Sequence, residues 1–134
     1  MSNYLHYLRN VQETYLANKD AITADEAIWV APPHPLAPSE ALLAKAARWE
    51  RKYLRERENP TNADLVQARK YAWQQIGYEA LYRREIAVSP PAQAELLRIL
   101  ANAKAGKKIV LYCRTKEKPC HRFILLNILR EMAR

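Results

Sequence analysis

Apolar and polar positions alternate between two periods along this chain, and the change of period marks out its elements. Tyr4, Leu5, Tyr7 and Leu8 suit the start of either a strand or a helix, and Leu5, Leu8, Tyr15 and Leu16 are compatible with helical spacing; the preferred expectation is an opening strand followed by irregular chain up to residue 26. Residues 27–31 (Ala-Ile-Trp-Val-Ala) form a short apolar run ended by Pro32, Pro33 and Pro35, as expected of a strand whose chain can no longer donate to a ladder. Ser39 then caps a helix with apolar positions at Leu42, Ala46, Trp49 and Tyr53, broken at Asn59-Pro60. Thr61 and Asp64 have the spacing of a capping box and open a second helix through Leu65, Ala68, Ala72 and Ile76, with a bend expected at Gly77.

Ser89-Pro90-Pro91 opens a third helix, with Leu96, Leu97, Leu100 and Ala103 on one side and a left-handed stop at Gly106. Residues 108–113 (Lys-Ile-Val-Leu-Tyr-Cys) are an apolar strand of the kind buried on both faces. A charged turn follows, and residues 120–132 read as a helix that is apolar nearly all round before Arg130. Helix, strand, turn and helix in close succession predict an α/β fold: a small, mainly parallel sheet packed by helices, in a single compact domain over residues 1–134.

Composition narrows the setting. The 134 residues include two glycines, eight prolines and two cysteines, which excludes fibrous and disulfide-scaffold classes. No apolar run reaches the roughly 18 residues of a membrane span, and the N-terminus lacks the form of a secretion signal, so a cytoplasmic protein with no membrane partner is expected. Lysine and arginine number 22 against 14 acids, a formal charge of +8 that suits an anionic partner, either a small molecule or a nucleic acid. Residues 48–58 interleave both signs and read as a solvated helix face. The cationic excess falls instead between Lys104 and Arg122, where Lys107, Lys108, Arg114, Lys116 and Lys118 face one acid, Glu117.

Candidate chemistry lies in the same segment. Ligands of α/β domains sit at the carboxyl ends of strands, which points to the turn between Cys113 and Arg122. Cys113 ends the buried strand, while Cys120, His121 and Arg122 open the last helix, whose free N–H groups and positive dipole end attract anions and favour thiolate. Cys113, Cys120 and His121 are the candidate catalytic residues, with either thiol as nucleophile or redox group and His121 as base. Arg122, Arg114, Lys116 and Lys118 are the candidate anion-binding residues.

The spacing excludes some templates. Cysteine-dependent phosphatases set five residues between nucleophile and phosphate-binding arginine, whereas eight separate Cys113 from Arg122. A zinc site from Cys113, Cys120, His121 and His34 would need awkward adjacent ligands, so no metal and no cofactor is assigned. The two cysteines are separated by six residues and also admit reversible pairing.

A buried strand ending in cysteine, a short charged loop and Cys-His-Arg opening the last helix resemble the signature of the family known as domain of unknown function 488. The resemblance covers about residues 78–132 and includes Tyr78-Glu-Ala-Leu-Tyr82. It implies an α/β cytoplasmic protein of unsettled activity, with Cys113, Cys120, His121 and Arg122 as the site. The chain departs from the family pattern at Thr115, where an acid is usual, and its loop is one residue shorter. Three functions follow: anion binding at the turn, a cysteine-dependent enzyme using the same turn, or a partner-binding protein with a degenerate site.

Overall fold

The computed structural model describes residues 3–114, 116 and 119–133. Three parallel strands, β1 (Val11–Tyr15), β2 (Glu26–Trp29) and β3 (Ile109–Cys113), form one sheet in the order β1-β3-β2. Among the described residues five α-helices accompany it: α1 (Glu40–Leu54), α2 (Asn62–Ile76), α3 (Tyr78–Ala87), α4 (Pro90–Lys104) and α5 (His121–Met132). The fold is thus the expected α/β arrangement of a small parallel sheet packed by helices.

β3 is central because it alone is apolar enough to lose water on both faces; Ile109, Val110 and Leu111 are fully buried. It pairs with β1 from Val11 opposite Ile109 to Tyr15 opposite Cys113, and with β2 from Glu26 opposite Ile109 to Trp29 opposite Tyr112. Ile109, Leu111 and Cys113 lie on one face and join the core shared by Leu36, Tyr82, Leu96 and Leu125. Tyr112, on the other face, meets Trp29 edge-on and carries Lys19 over its ring. No helix among the described residues is long and apolar enough to cross a membrane.

Local chemistry sets most helix ends. Ser39 accepts the Leu42 N–H, and Thr61 and Asp64 complete their capping box. Ser89 accepts from the Ala92 N–H at the start of α4. At its end, Gly106 adopts φ +94° while the N–H groups of Gly106 and Lys107 return to the carbonyls of Ala103 and Asn102, a Schellman closure.

The structure corrects three expectations. Residues 4–8 are not a strand but part of a 3-10 helix, Asn3–Asn10, and the first strand follows it. β1 escapes the sequence pattern because it is an edge strand that buries only Val11 and Thr14. Gly77 does more than bend α2. Its left-handed φ of +64° ends that helix and starts α3 on a new axis, turning the buried Tyr78 and Tyr82 toward the end of the sheet. On α4 the buried positions are Ala92, Leu96, Ile99 and Ala103, whereas Leu97 is exposed.

Candidate functional site

The carboxyl end of β3 and the first turn of α5 meet in a continuous line of polar contacts. Arg122 is the largest fully buried side chain among the described residues. Its Nε donates to Glu13 Oε2 on β1 at 2.6 Å, its Nη1 to the Cys113 sulfur at 2.8 Å, and its Nη2 to the Lys116 carbonyl at 2.9 Å. Cys113 and Cys120 are free thiols with their sulfurs 2.8 Å apart. The Cys120 sulfur lies 3.8 Å from His121 Nδ1, and His121 Nε2 meets the Val30 carbonyl just beyond β2.

This order fixes protons. A carbonyl oxygen only accepts, so Val30 holds the imidazole hydrogen on Nε2 and leaves Nδ1 as an acceptor toward Cys120. Burial lowers the His121 pKa and keeps the ring neutral. The Cys113 thiol is pushed up strongly, first by its hydrogen bond to the Cys120 sulfur and then by burial, effects that outweigh Arg122. Cys113 therefore keeps its proton and donates toward Cys120. The expected depression of either thiol by the helix terminus thus fails for Cys113, because the hydrogen bond to Cys120 and burial outweigh the equally close Arg122 guanidinium. Burial opposes the charge on Arg122, but Glu13 and the two sulfurs overcome that and hold its pKa up.

A cleft of about 230 Å³ opens over these groups. Cys113, Cys120, His121 and Arg114 line it on the sheet side, with Glu50 from α1 and Arg69 and Trp73 from α2. Trp73 stacks on Tyr78 with ring centroids 3.8 Å apart, adding an aromatic wall. Arg69 Nη1 donates to the Pro119 carbonyl at 3.3 Å and ties α2 to the turn. Glu50 is half-buried, and burial raises its pKa despite the opposing influence of Arg69 and Arg51.

The candidate residues separate on this framework. Cys113, Cys120 and His121 come together at the cleft, and Arg114 is exposed at its edge. Arg122 does not present its fork to solvent as the sequence suggested; a buried guanidinium requires a carboxylate, and Glu13 occupies it. Lys116 is exposed, with its ammonium 5.8 Å from the Tyr15 ring centroid. Lys118, together with Thr115 and Glu117, lies outside the described residues.

Nor is the basic run between Lys104 and Arg122 one patch. Lys104, Lys107 and Lys108 precede β3 whereas Arg114 and Lys116 follow it, so the strand carries them about 16 Å apart to opposite ends of the sheet. His34 is engaged elsewhere, accepting the Leu36 N–H and facing Glu95 at 3.3 Å, and the described residues contain no cluster of three metal-ligating side chains.

Sequence reasoning missed Glu13 and Glu50. Glu13 sits in a strand that reads as irregular chain, and Glu50 sits in the stretch 48–58 that reads as a solvated helix face. One signal was available for Glu13. An arginine in the first turn of a helix apolar nearly all round is destined for burial, and a buried arginine needs an acid.

No curated protein and no solved structure matches the chain. A family model does, over residues 19–133: the one described as the active DUF488-N3 subclade, which extends the resemblance at the Cys-His-Arg turn back through α1 and α2. The chain is a member of this DUF488-N3a family.

Proposed function

We propose that the cleft is the active site of a cysteine-dependent enzyme acting on a small anionic substrate of the nucleotide class. The observation that carries this reading is the ordered line from Arg122 through Cys113 and Cys120 to His121. It supplies a sulfur with a base on one side and a hydrogen-bond donor on the other. Cys120 is the nucleophile. Its proton passes to His121 Nδ1, the Cys113 S–H steadies the resulting thiolate, and Arg122 polarises Cys113 from behind. Glu50, held toward its neutral form by burial, is the proton donor on the facing wall.

Substrate class follows from the lining. Arg69 and Arg114 suit an anionic group, and the Trp73–Tyr78 stack suits a planar ring. At about 230 Å³ the cleft is below the roughly 300–1,000 Å³ usual for drug-sized ligands, so it encloses part of a nucleotide-sized molecule rather than all of it. The description of the family as an active subclade agrees with chemistry rather than binding alone.

Alkylation kinetics test the reading. Cys120 should react at neutral pH faster than Cys113, as mapped by mass spectrometry. Its rate with iodoacetate relative to iodoacetamide should exceed that ratio for free cysteine, because the cleft is cationic. Nucleoside monophosphates should protect it. Equal inertness of both thiols, or no protection by any anionic ligand, would discard the proposal.

A further inference from the structure

The helix α1 resolves a charge pattern that the linear sequence conceals. Acids and bases interleave between residues 48 and 58, but the body of α1 contains only two acids, Glu40 in the first turn and Glu50. At about 100° per residue, Lys45, Arg48, Arg51, Lys52 and the C-cap residue Arg55 fall within an arc of roughly 120°. Glu50 falls on the opposite side, with the cleft-lining Leu43 and Ala46. Glu56 and Glu58 lie beyond the helix end. Folding therefore unmixes the charges into an acid-free stripe.

All five cations are exposed, and among the described residues none is in an ion pair; Arg51, at the margin of the arc, has only the longer-range attraction of Glu50. Arg48, Arg51, Lys52 and Arg55 line a shallow groove of about 450 Å³ with Trp49 at its side, where Lys52 rests over the indole at 4.7 Å. The helix dipole accounts for cations in the last turn, but not for Lys45 and Arg48 in the middle of the helix. We propose that this stripe binds the phosphate backbone of a nucleic acid, independently of the cleft on the other side of α1.

Charge complementarity selects the occupant. Three of the five cations are arginines, whose planar forks match phosphate oxygens. An anionic membrane surface would need a continuous exposed apolar face beside the basic one; α1 turns Leu42 and Ala46 into the protein interior and offers only the half-buried Trp49 beside the cations. Contacts to phosphate carry no sequence information, so little base preference is expected.

Titration of a labelled 20-nucleotide single strand with the full chain, followed by fluorescence anisotropy between 50 and 200 mM salt, decides the matter. Five phosphate contacts give a log-log salt slope of about −3.5, and loss of two reduces it to about −2. Lys45→Glu with Arg48→Glu, and the milder Lys45→Gln with Arg48→Gln, should each flatten the slope by that amount and weaken binding at 50 mM salt at least about tenfold. Circular dichroism verifies that the variants fold. Lys104→Glu with Lys107→Glu, at the far end of the sheet, makes the same change in net charge and should leave the slope unaltered. Equal loss in both pairs, no binding at 50 mM salt, or binding to phosphatidylserine vesicles without binding to the oligonucleotide would each overturn the proposal. The stripe variants should retain Cys120 alkylation, so a failure here is distinguishable from a failure of the cleft reading.

Discussion

Glu13 and Arg122, 109 positions apart in sequence, form a 2.6 Å ion pair that joins the edge strand β1 to the first turn of α5 beneath the two thiols. The arginine is 1% exposed and the glutamate 26%, so the charge that depends on the pair is the buried cation. That asymmetry determines what each substitution does.

Glu13→Ala should destabilise the protein by about 3 kcal/mol, because it strands a buried guanidinium rather than merely deleting a contact. Replacing both residues, Glu13→Ala with Arg122→Met, should recover much of the loss, since an apolar side chain of similar length needs no counter-ion. Urea denaturation of the two variants measures this. A double variant as unstable as the single one would mean that the pair matters through packing rather than charge.

His121 makes stability depend on pH. Its folded-state pKa lies below the ordinary value near 6.5 because burial disfavours the imidazolium. Below that ordinary value the unfolded chain binds the proton more readily, so stability rises with pH there. The contribution is fully present above pH 6.5 and is lost as pH falls toward the folded pKa. The urea midpoint of the native protein should therefore drop between pH 7 and pH 5 by more than that of His121→Gln. Parallel curves would show that the imidazole titrates normally.

Elements whose signals are local were legible in the sequence. Ser39, the Thr61–Asp64 box, Ser89 and Gly106 set helix ends through bonds to residues three to five positions away, and the β3 run identifies itself as a central strand. The convergence of Cys113, Cys120 and His121 followed from strand, turn and helix in succession. What lay beyond reach depended on distant partners. β1 is a strand because β3 pairs with it, not because its side chains alternate. Glu50 belongs to the cleft because α1 packs where it does, and Arg122 points inward because Glu13 awaits it.

Tyr82→Phe isolates one buried hydrogen bond. The Tyr82 hydroxyl donates to the Leu36 carbonyl at 2.5 Å, and both residues are fully buried. Removing the oxygen leaves that carbonyl unsatisfied and should cost about 1–3 kcal/mol, with little change in ring packing against His121. Thermal unfolding gives the stability change, and Cys120 alkylation shows whether the imidazole keeps its position. A neutral substitution would indicate that water replaces the hydroxyl.

Glu50→Gln should move stability and chemistry in opposite directions. Burial raises the carboxyl pKa on folding, so between the ordinary value near 4.5 and the folded one the native state holds the proton more tightly than the unfolded chain. For a carboxyl shifted in this sense the folded state loses stability as pH rises through that window, and the penalty persists at neutrality. Glutamine has no charge to bury and similar shape. The variant should show a higher urea midpoint than the native protein at pH 7, with the difference shrinking as pH falls from the folded pKa toward 4.5. If Glu50 is the proton donor of the cleft, the same variant should lose turnover on any substrate found, while retaining rapid Cys120 alkylation, a step that needs no proton from the facing wall. Such opposition is the expected mark of a group kept for function at a cost to the fold. A Gln variant no more stable than the native protein at pH 7 would place Glu50 in solvent and remove it from the site.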